Sequence, residues 1–186
     1  MKKSHLAPLL ACLTALCLPG SLPAELPQGA SAPDFTTQGA LAGKVFTYNL
    51  KAALKKGPVV LYFYPKSFTK GCSIEARAFA EATPQIKAAG ATVIGLSADT
   101  IQIQQDFSRK DCSDKFAVGV ASPAIIAAYD VHLKKPDGSQ SGLSSRTSYV
   151  IGRDGRIKLS YTQNNPNEHV QRTLAAARAL KAAHRH

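Results

Sequence analysis

Residues 58–96 read PVVLYFYPKSFTKGCSIEARAFAEATPQIKAAGATVIGL, and the architecture turns on them. Residues 58–64 form a continuous apolar run of the kind buried on both faces of a sheet, and residues 91–96 form a second. Between them, residues 71–82 are rich in Ala and Glu and predict a helix. Thr83-Pro84 then reads as a break, or as a restart with threonine as cap and proline in the first turn, and Gly90 closes that piece. Strand, helix and strand within about forty residues make a right-handed crossover onto a parallel sheet.

The flanking segments extend this unit. Alternation over residues 44–48 predicts a short strand. Asp99 is expected to cap a helix running to about Lys110, residues 116–120 read as a third parallel strand, and residues 123–129 as a short helix opened by proline. Residues 134–145 are polar and glycine-rich and read as a loop. Residues 147–151 and 156–161 flank Gly152-Arg153-Asp154-Gly155, whose Asp-Gly is a hairpin signal. An alanine-rich helix over residues 167–183 ends the pattern. The order βαβ, αβα, ββα predicts an α/β, thioredoxin-like three-layer sandwich with a mixed central sheet and helices on both faces.

Composition agrees with one globular domain: of 186 residues, 45% are hydrophobic and 19% charged, which excludes disordered, collagenous and multi-domain chains. Residues 1–24 read as a secretory signal peptide. Lys2 and Lys3 start it, a mostly apolar run from His5 to Leu18 follows, and Pro19-Gly20-Ser21 leads to a cut expected after Ala24. That run of about fourteen residues is too short for a bilayer, which needs about twenty. Cys12, after Leu9-Leu10-Ala11, offers a lipoprotein alternative, but the stretch before it is brief. The expected product is an exported, periplasmic domain of residues 25–186.

Loss of Lys2 and Lys3 takes the net charge from +11 to +9 and leaves Cys72 and Cys112 as the remaining cysteines. Four cysteines in the whole chain argue against a disulfide-stapled miniprotein or a cysteine-rich zinc module. Lys55-Lys56, Arg109-Lys110 and Lys134-Lys135 are scattered pairs without interleaved aromatics, so solvated charge is expected rather than a specific nucleic-acid partner. His132, His169, His184 and His186 lack the spacing of a zinc site and are expected at the surface. No metal or cofactor is expected.

Cys72 falls in the first turn of the helix that follows the buried strand. Free backbone N–H groups and the positive end of the helix dipole stabilise a thiolate there, and the thiolate is the nucleophile. The dipole contributes about 0.3–1 kcal/mol at an exposed site. Holding an ordinary thiol ionised near neutral pH needs on the order of 3 kcal/mol, so a cation must assist. Lys66, Lys70 and Arg146 qualify. Arg146 is preferred because its guanidinium is always charged and presents paired donors, with a surface salt bridge as the bland alternative.

Tyr64-Pro65, Thr69 and Cys72 resemble the Pro-x-x-x-Thr-x-x-Cys active-site loop of peroxiredoxins, and Arg146 falls where that family carries its catalytic arginine. Ala32-Pro33-Asp34-Phe35 and Arg146-Thr147-Ser148-Tyr149-Val150-Ile151 with Asp154-Gly155 are similar to two further signatures, so the likeness spans about residues 29–180. Tyr64-Pro65-Lys66, Phe68-Thr69, Gly71-Cys72-Ser73 and Glu75 are most similar to the bacterioferritin-comigratory, or Q-type, subgroup.

The resemblance implies a thiol-dependent peroxidase acting on hydrogen peroxide and organic hydroperoxides. Cys72 would be the peroxidatic cysteine, Thr69, the Cys72 backbone N–H and Arg146 would be donors to the peroxide, and Pro65 would shield the sulfur. A thioredoxin-like or other envelope thiol would be the reductant, and the chain would be a monomer, with a dimer possible. Many Q-type members place a resolving cysteine five residues after the peroxidatic one, where this chain has Arg77. The resemblance leaves Cys112, since some members use a cysteine on the next helix. A static Cys72–Cys112 brace and resolution by an external thiol stay open beside it. Disulfide exchangers and copper carriers of the same fold would want cysteine where this chain has Glu75 and Ala76. A non-enzymatic basic binding module is the remaining alternative.

Overall fold

The computed structural model describes residues 25–183. The expected signal peptide, with its lipoprotein variant at Cys12, and His184 and His186 lie outside them. Among the described residues no helix is long and apolar enough to cross a membrane.

The central strand is β3 (Val59–Phe63), buried at every position because sheet lies on both sides and helices cover both faces. β3 runs parallel to β4 (Thr92–Ser97), which runs parallel to β5 (Ala117–Val120). β8 (Thr147–Ile151) lies antiparallel on the other side of β3 and pairs with β9 (Ile157–Thr162). Beyond β5 the sheet continues through β1 (Thr36–Leu41) and β2 (Lys44–Asn49), giving seven strands in the order β2-β1-β5-β4-β3-β8-β9.

Side-chain alternation along β3 sorts the core into two halves. Val60, Tyr62 and Tyr64 face α2 (Lys70–Ala88), α3 (Ile101–Lys110) and α5 (Asn167–Ala183), whose Phe79, Ile86, Phe107 and Ala177 complete that half. Val59, Leu61 and Phe63 face α1 (Leu50–Lys56) and α4 (Pro123–Ala128), which contribute Leu50, Leu54, Ile125 and Ile126. Each such side chain contributes roughly 1.5–3 kcal/mol on burial. The result is the expected three-layer sandwich.

Three local expectations are corrected, and two elements are added. Thr83-Pro84 neither breaks nor restarts the helix: α2 is continuous over 19 residues with Pro84 inside it. Pro84 lies on the exposed face, Thr83 Oγ1 donates to Phe79 O at 2.7 Å, and burial of Ala82, Thr83 and Ile86 offsets a proline penalty of about 3 kcal/mol. The cap of α3 is Thr100, whose hydroxyl accepts from Ile103 N–H, and not Asp99, whose carboxylate is drawn instead to Ser67 and Ser97. Residues 134–145 are not simply a loop but mostly a hairpin of β6 (His132–Lys134) and β7 (Gln140–Ser144), a small separate sheet. β1 and α1 have no counterpart in the sequence expectations. β1 carries Gly39 against the Phe46 ring, a polar and small composition that hides its periodicity.

Candidate active site

The site is built where β3 stops. Tyr64 is held from three sides: its N–H donates to Leu96 O (3.0 Å), its carbonyl accepts from Ser144 Oγ (2.8 Å), and its phenol donates to Gln104 Oε1 (2.7 Å). From this anchor the chain passes through half-buried Pro65, and Ser67 N–H docks on Asp99 Oδ2 at 2.7 Å. Phe68 sits at φ +62°, a left-handed conformation costly for a bulky residue. Its ring packs edge-on against Phe107, 5.2 Å between centroids.

Thr69 is the N-cap residue of α2, and the first helical bond runs from Ser73 N–H to Thr69 O at 2.9 Å. The amides of Lys70, Gly71 and Cys72 therefore precede the ladder and are free to donate. The Thr69 hydroxyl donates to Lys66 O at 3.0 Å. Lys66 and Lys70 are exposed.

Cys72 is 2% exposed, and the nearest charge is the expected one: Arg146 Nη2 stands 3.4 Å from Sγ. Arg146 lies in the short link between β7 and β8 and is itself buried, its Nε donating to Asn164 O at 3.1 Å. Gly71 makes room for it, since a Cβ there would lie 3.1 Å from Nη2. Gly71→Ala is therefore expected to slow peroxide reduction by about tenfold through displacement of the guanidinium, while the better helix former leaves stability unchanged or higher. Parallel peroxide assays and thermal melts check that opposition.

Arg146 is held by a residue that sequence reasoning did not assign to the site. Its Nη1 pairs with Glu75 Oε2, one turn along α2 from Cys72 and fully buried. Burial pushes the Glu75 carboxyl up to about 8, against the pull of Arg146. His169, expected at the surface, is fully buried beside Glu75, and burial pushes it down to about 4. The signal that could have found it is phase: His169 lies four residues before Thr173 and eight before Ala177, on the stripe of α5 that faces the core. His132 is half-buried in β6. Among the described residues no group of histidine, cysteine and carboxylate side chains could hold a metal ion.

Cys112 lies just past α3, in the same half of the core as Cys72, and is fully buried. Both thiols are free. Burial, with Asp111 and Asp114 adding to it, pushes the Cys112 thiol well above its ordinary value, so it is a poor nucleophile in this conformation. Asp111 accepts from Ser73 Oγ at 3.0 Å and from Arg77 Nε at 2.9 Å, tying the end of α3 to the start of α2.

The model of the AhpC/TSA family matches residues 28–160. The chain belongs to this peroxiredoxin family. It is 31% identical over 182 residues to the chloroplastic peroxiredoxin Q of Suaeda salsa, covering 97% of this chain and 81% of that one. Among solved structures, a PrxQ mutant from Xylella fastidiosa has a TM-score of 0.72 at 27% identity, with 89% of this chain and 99% of that chain covered. The bacterioferritin comigratory protein of Xanthomonas campestris, from a study of its alkyl peroxide reduction, has 0.67 at 26%, covering 77% and 91%. The fold is thus the thioredoxin-like fold of peroxiredoxins, and the protein is a thiol peroxidase, an enzyme whose substrate is a peroxide and whose partner is a thiol reductant.

Proposed function

We propose that this peroxiredoxin reduces hydrogen peroxide and organic hydroperoxides by direct attack of Cys72. The thiolate sulfur forms a bond to one peroxide oxygen, the O–O bond breaks, and the second oxygen leaves with the electron pair and takes up a proton as water or alcohol. Cys72 is left as a sulfenic acid. The 3.4 Å approach of Arg146 Nη2 to Sγ carries this reading. Arg146 and the Cys72 N–H are the donors that meet the peroxide oxygens, the Thr69 hydroxyl joins them by turning from Lys66 O, and Pro65 walls the sulfur from water.

Cys112 is the proposed resolving residue. Its thiol attacks the sulfenic sulfur, a disulfide forms, water leaves, and an external thiol reductant returns both sulfurs to the thiol state. Burial of Cys112 means that the end of α3 must open first. Ser113 and Asp114, immediately after it, sit at φ +49° and +58°. Each costs about 1–2 kcal/mol, and unwinding relieves both. Residues 1–24 are proposed as a leader that exports the domain to the periplasm, where the reductant would be an envelope thiol protein and the enzyme a monomer.

The test is Cys112→Ser with one equivalent of peroxide and mass spectrometry. The wild-type chain is expected to gain a Cys72–Cys112 link. The variant is expected to keep the first turnover and stop at the Cys72 sulfenic acid, with reductant-driven cycling lost. Normal cycling of the variant would assign resolution to an external thiol.

A further inference from the structure

Behind Arg146 lies a second buried charge arrangement that peroxide attack does not use. Glu75 Oε2 is paired with the guanidinium, but Oε1 is buried without a hydrogen-bond partner among the described residues. An ionised carboxylate half unsatisfied in the core is costly. His169 Nδ1 stands 3.7 Å from Oε1. On the other side of that ring, Nε2 stands 2.9 Å from Gln163 O, which can only accept, so Nε2 carries a hydrogen and Nδ1 of the neutral ring is an acceptor, served by the Ser148 hydroxyl at 2.8 Å. Two acceptors thus face one another in the interior, and one proton placed between them, with the Ser148 hydroxyl free to turn and a small shift of either side chain, satisfies Oε1 as well.

The charge count makes that proton matter for the sulfur. With Glu75 ionised and His169 neutral, the carboxylate cancels the charge of Arg146, and the guanidinium has little net field to offer Cys72 on its other side. With one proton on the pair, the positive charge beside the sulfur is uncompensated. We propose that Glu75 and His169 share a single proton across Oε1 and Nδ1 in the peroxide-reactive enzyme, and that this proton frees the charge of Arg146 for the Cys72 sulfur. His169 is then a positioning residue, acting on the reaction through Glu75 and Arg146.

The surroundings are consistent with a neutral ring as the proton's partner. Ser148 Oγ is 2.8 Å from Nδ1, and the Tyr161 ring stands edge-on at 4.8 Å. Arg146 from the sheet side and Arg172 on α5 oppose a charged imidazole, whereas Glu168 on α5 favours it but is itself paired with Arg172 at 2.8 Å. Cys72 and Tyr62 are the other ionisable groups facing Glu75 and Arg146, from α2 and β3. Burial raises Glu75 to about 8 and lowers His169 to about 4, which keeps one proton on the pair between those limits.

The inference rests on the peroxidase reading, and its test has two arms. In the first, the rate of Cys72 sulfenic acid formation is followed by stopped flow from pH 6 to 9.5. The wild-type rate is expected to fall roughly tenfold on an alkaline limb as the pair loses its proton. Glu75→Gln, whose amide holds no charge, is expected to lack this limb. His169→Asn, whose amide donates to Oε1 and favours the ionised carboxylate, is expected to move the limb to lower pH, and Glu75→Gln in the His169→Asn background is expected to remove it. A flat wild-type profile, or a limb that survives in Glu75→Gln, overturns the inference.

The second arm is urea denaturation across the same range. A carboxyl raised from 4.5 to about 8 on folding contributes stability that is complete below pH 4.5 and is lost as pH climbs toward 8. Its wild-type loss between pH 7 and 9 should vanish in Glu75→Gln, and equal losses in both proteins overturn the shared proton. If no sulfenic acid forms on Cys72 at any pH, the peroxidase reading falls, while this arm still decides the proton.

Discussion

Cys72→Ser is expected to abolish peroxide reduction, with the rate down at least about ten-thousandfold, and to leave the fold intact. The argument is chemical first. A serine hydroxyl stays protonated at neutral pH, so the position loses its anionic nucleophile, and oxygen cannot cycle through a sulfenic acid. Structurally the exchange is mild. The hydroxyl is smaller than the thiol, still accepts from Arg146, and sits under the free amides of the first turn of α2. Stability should move by no more than about 1 kcal/mol. Peroxide consumption with dithiothreitol as reductant, beside a urea melt, measures both quantities. A folded variant retaining even a hundredth of wild-type turnover would remove Cys72 from the reaction.

Arg146→Met is expected to lower both rate and stability, for separable reasons. Loss of the guanidinium removes a donor preorganised on the reacting atoms, a change that typically costs about a hundred- to a thousandfold. It also strands Glu75, which is fully buried and whose Oε2 has Arg146 as its partner. Without the guanidinium, burial holds a full proton on the Glu75 carboxyl, and the cost is that of a buried polar group left without its partner, about 1–3 kcal/mol. Adding Glu75→Gln to Arg146→Met should therefore change stability little below pH 8 and recover none of the lost rate. Denaturation curves and single-turnover rates on the two variants separate the roles. Recovery of the rate in the double variant would mean that Arg146 acts as a structural brace alone.

These two residues were also the most legible. Cys72 stands between a seven-residue apolar run and an Ala- and Glu-rich helix, so its place at a helix mouth follows from local pattern. Arg146 was found by chemical need and by family likeness, 74 positions away. Glu75 was visible in the motif, but its pairing with Arg146 depends on how β8 lies against β3, which no local pattern encodes. His169 was placed at the surface because it lacks the spacing of a zinc ligand, but its phase with Thr173 and Ala177 sets it on the buried stripe of α5. The hairpin of β6 and β7 was missed for another reason. Its strands are short and only partly buried, and β7 carries Gly142 among polar residues, so they leave no apolar alternation to read.

Under the proposed resolution by Cys112, the junction of Asp111 with Ser73 and Arg77 sets a clock on the oxidised enzyme. Arg77, paired with Asp111, ties the end of α3 beside Cys112 to α2. Every 1.4 kcal/mol needed to open that junction lengthens the wait of the oxidised sulfur about tenfold. A longer wait exposes it to a second peroxide molecule and to irreversible conversion to the sulfinic acid. An enzyme resolved in this proposed way would suit a slow, steady flux of oxidant and be silenced by a surge.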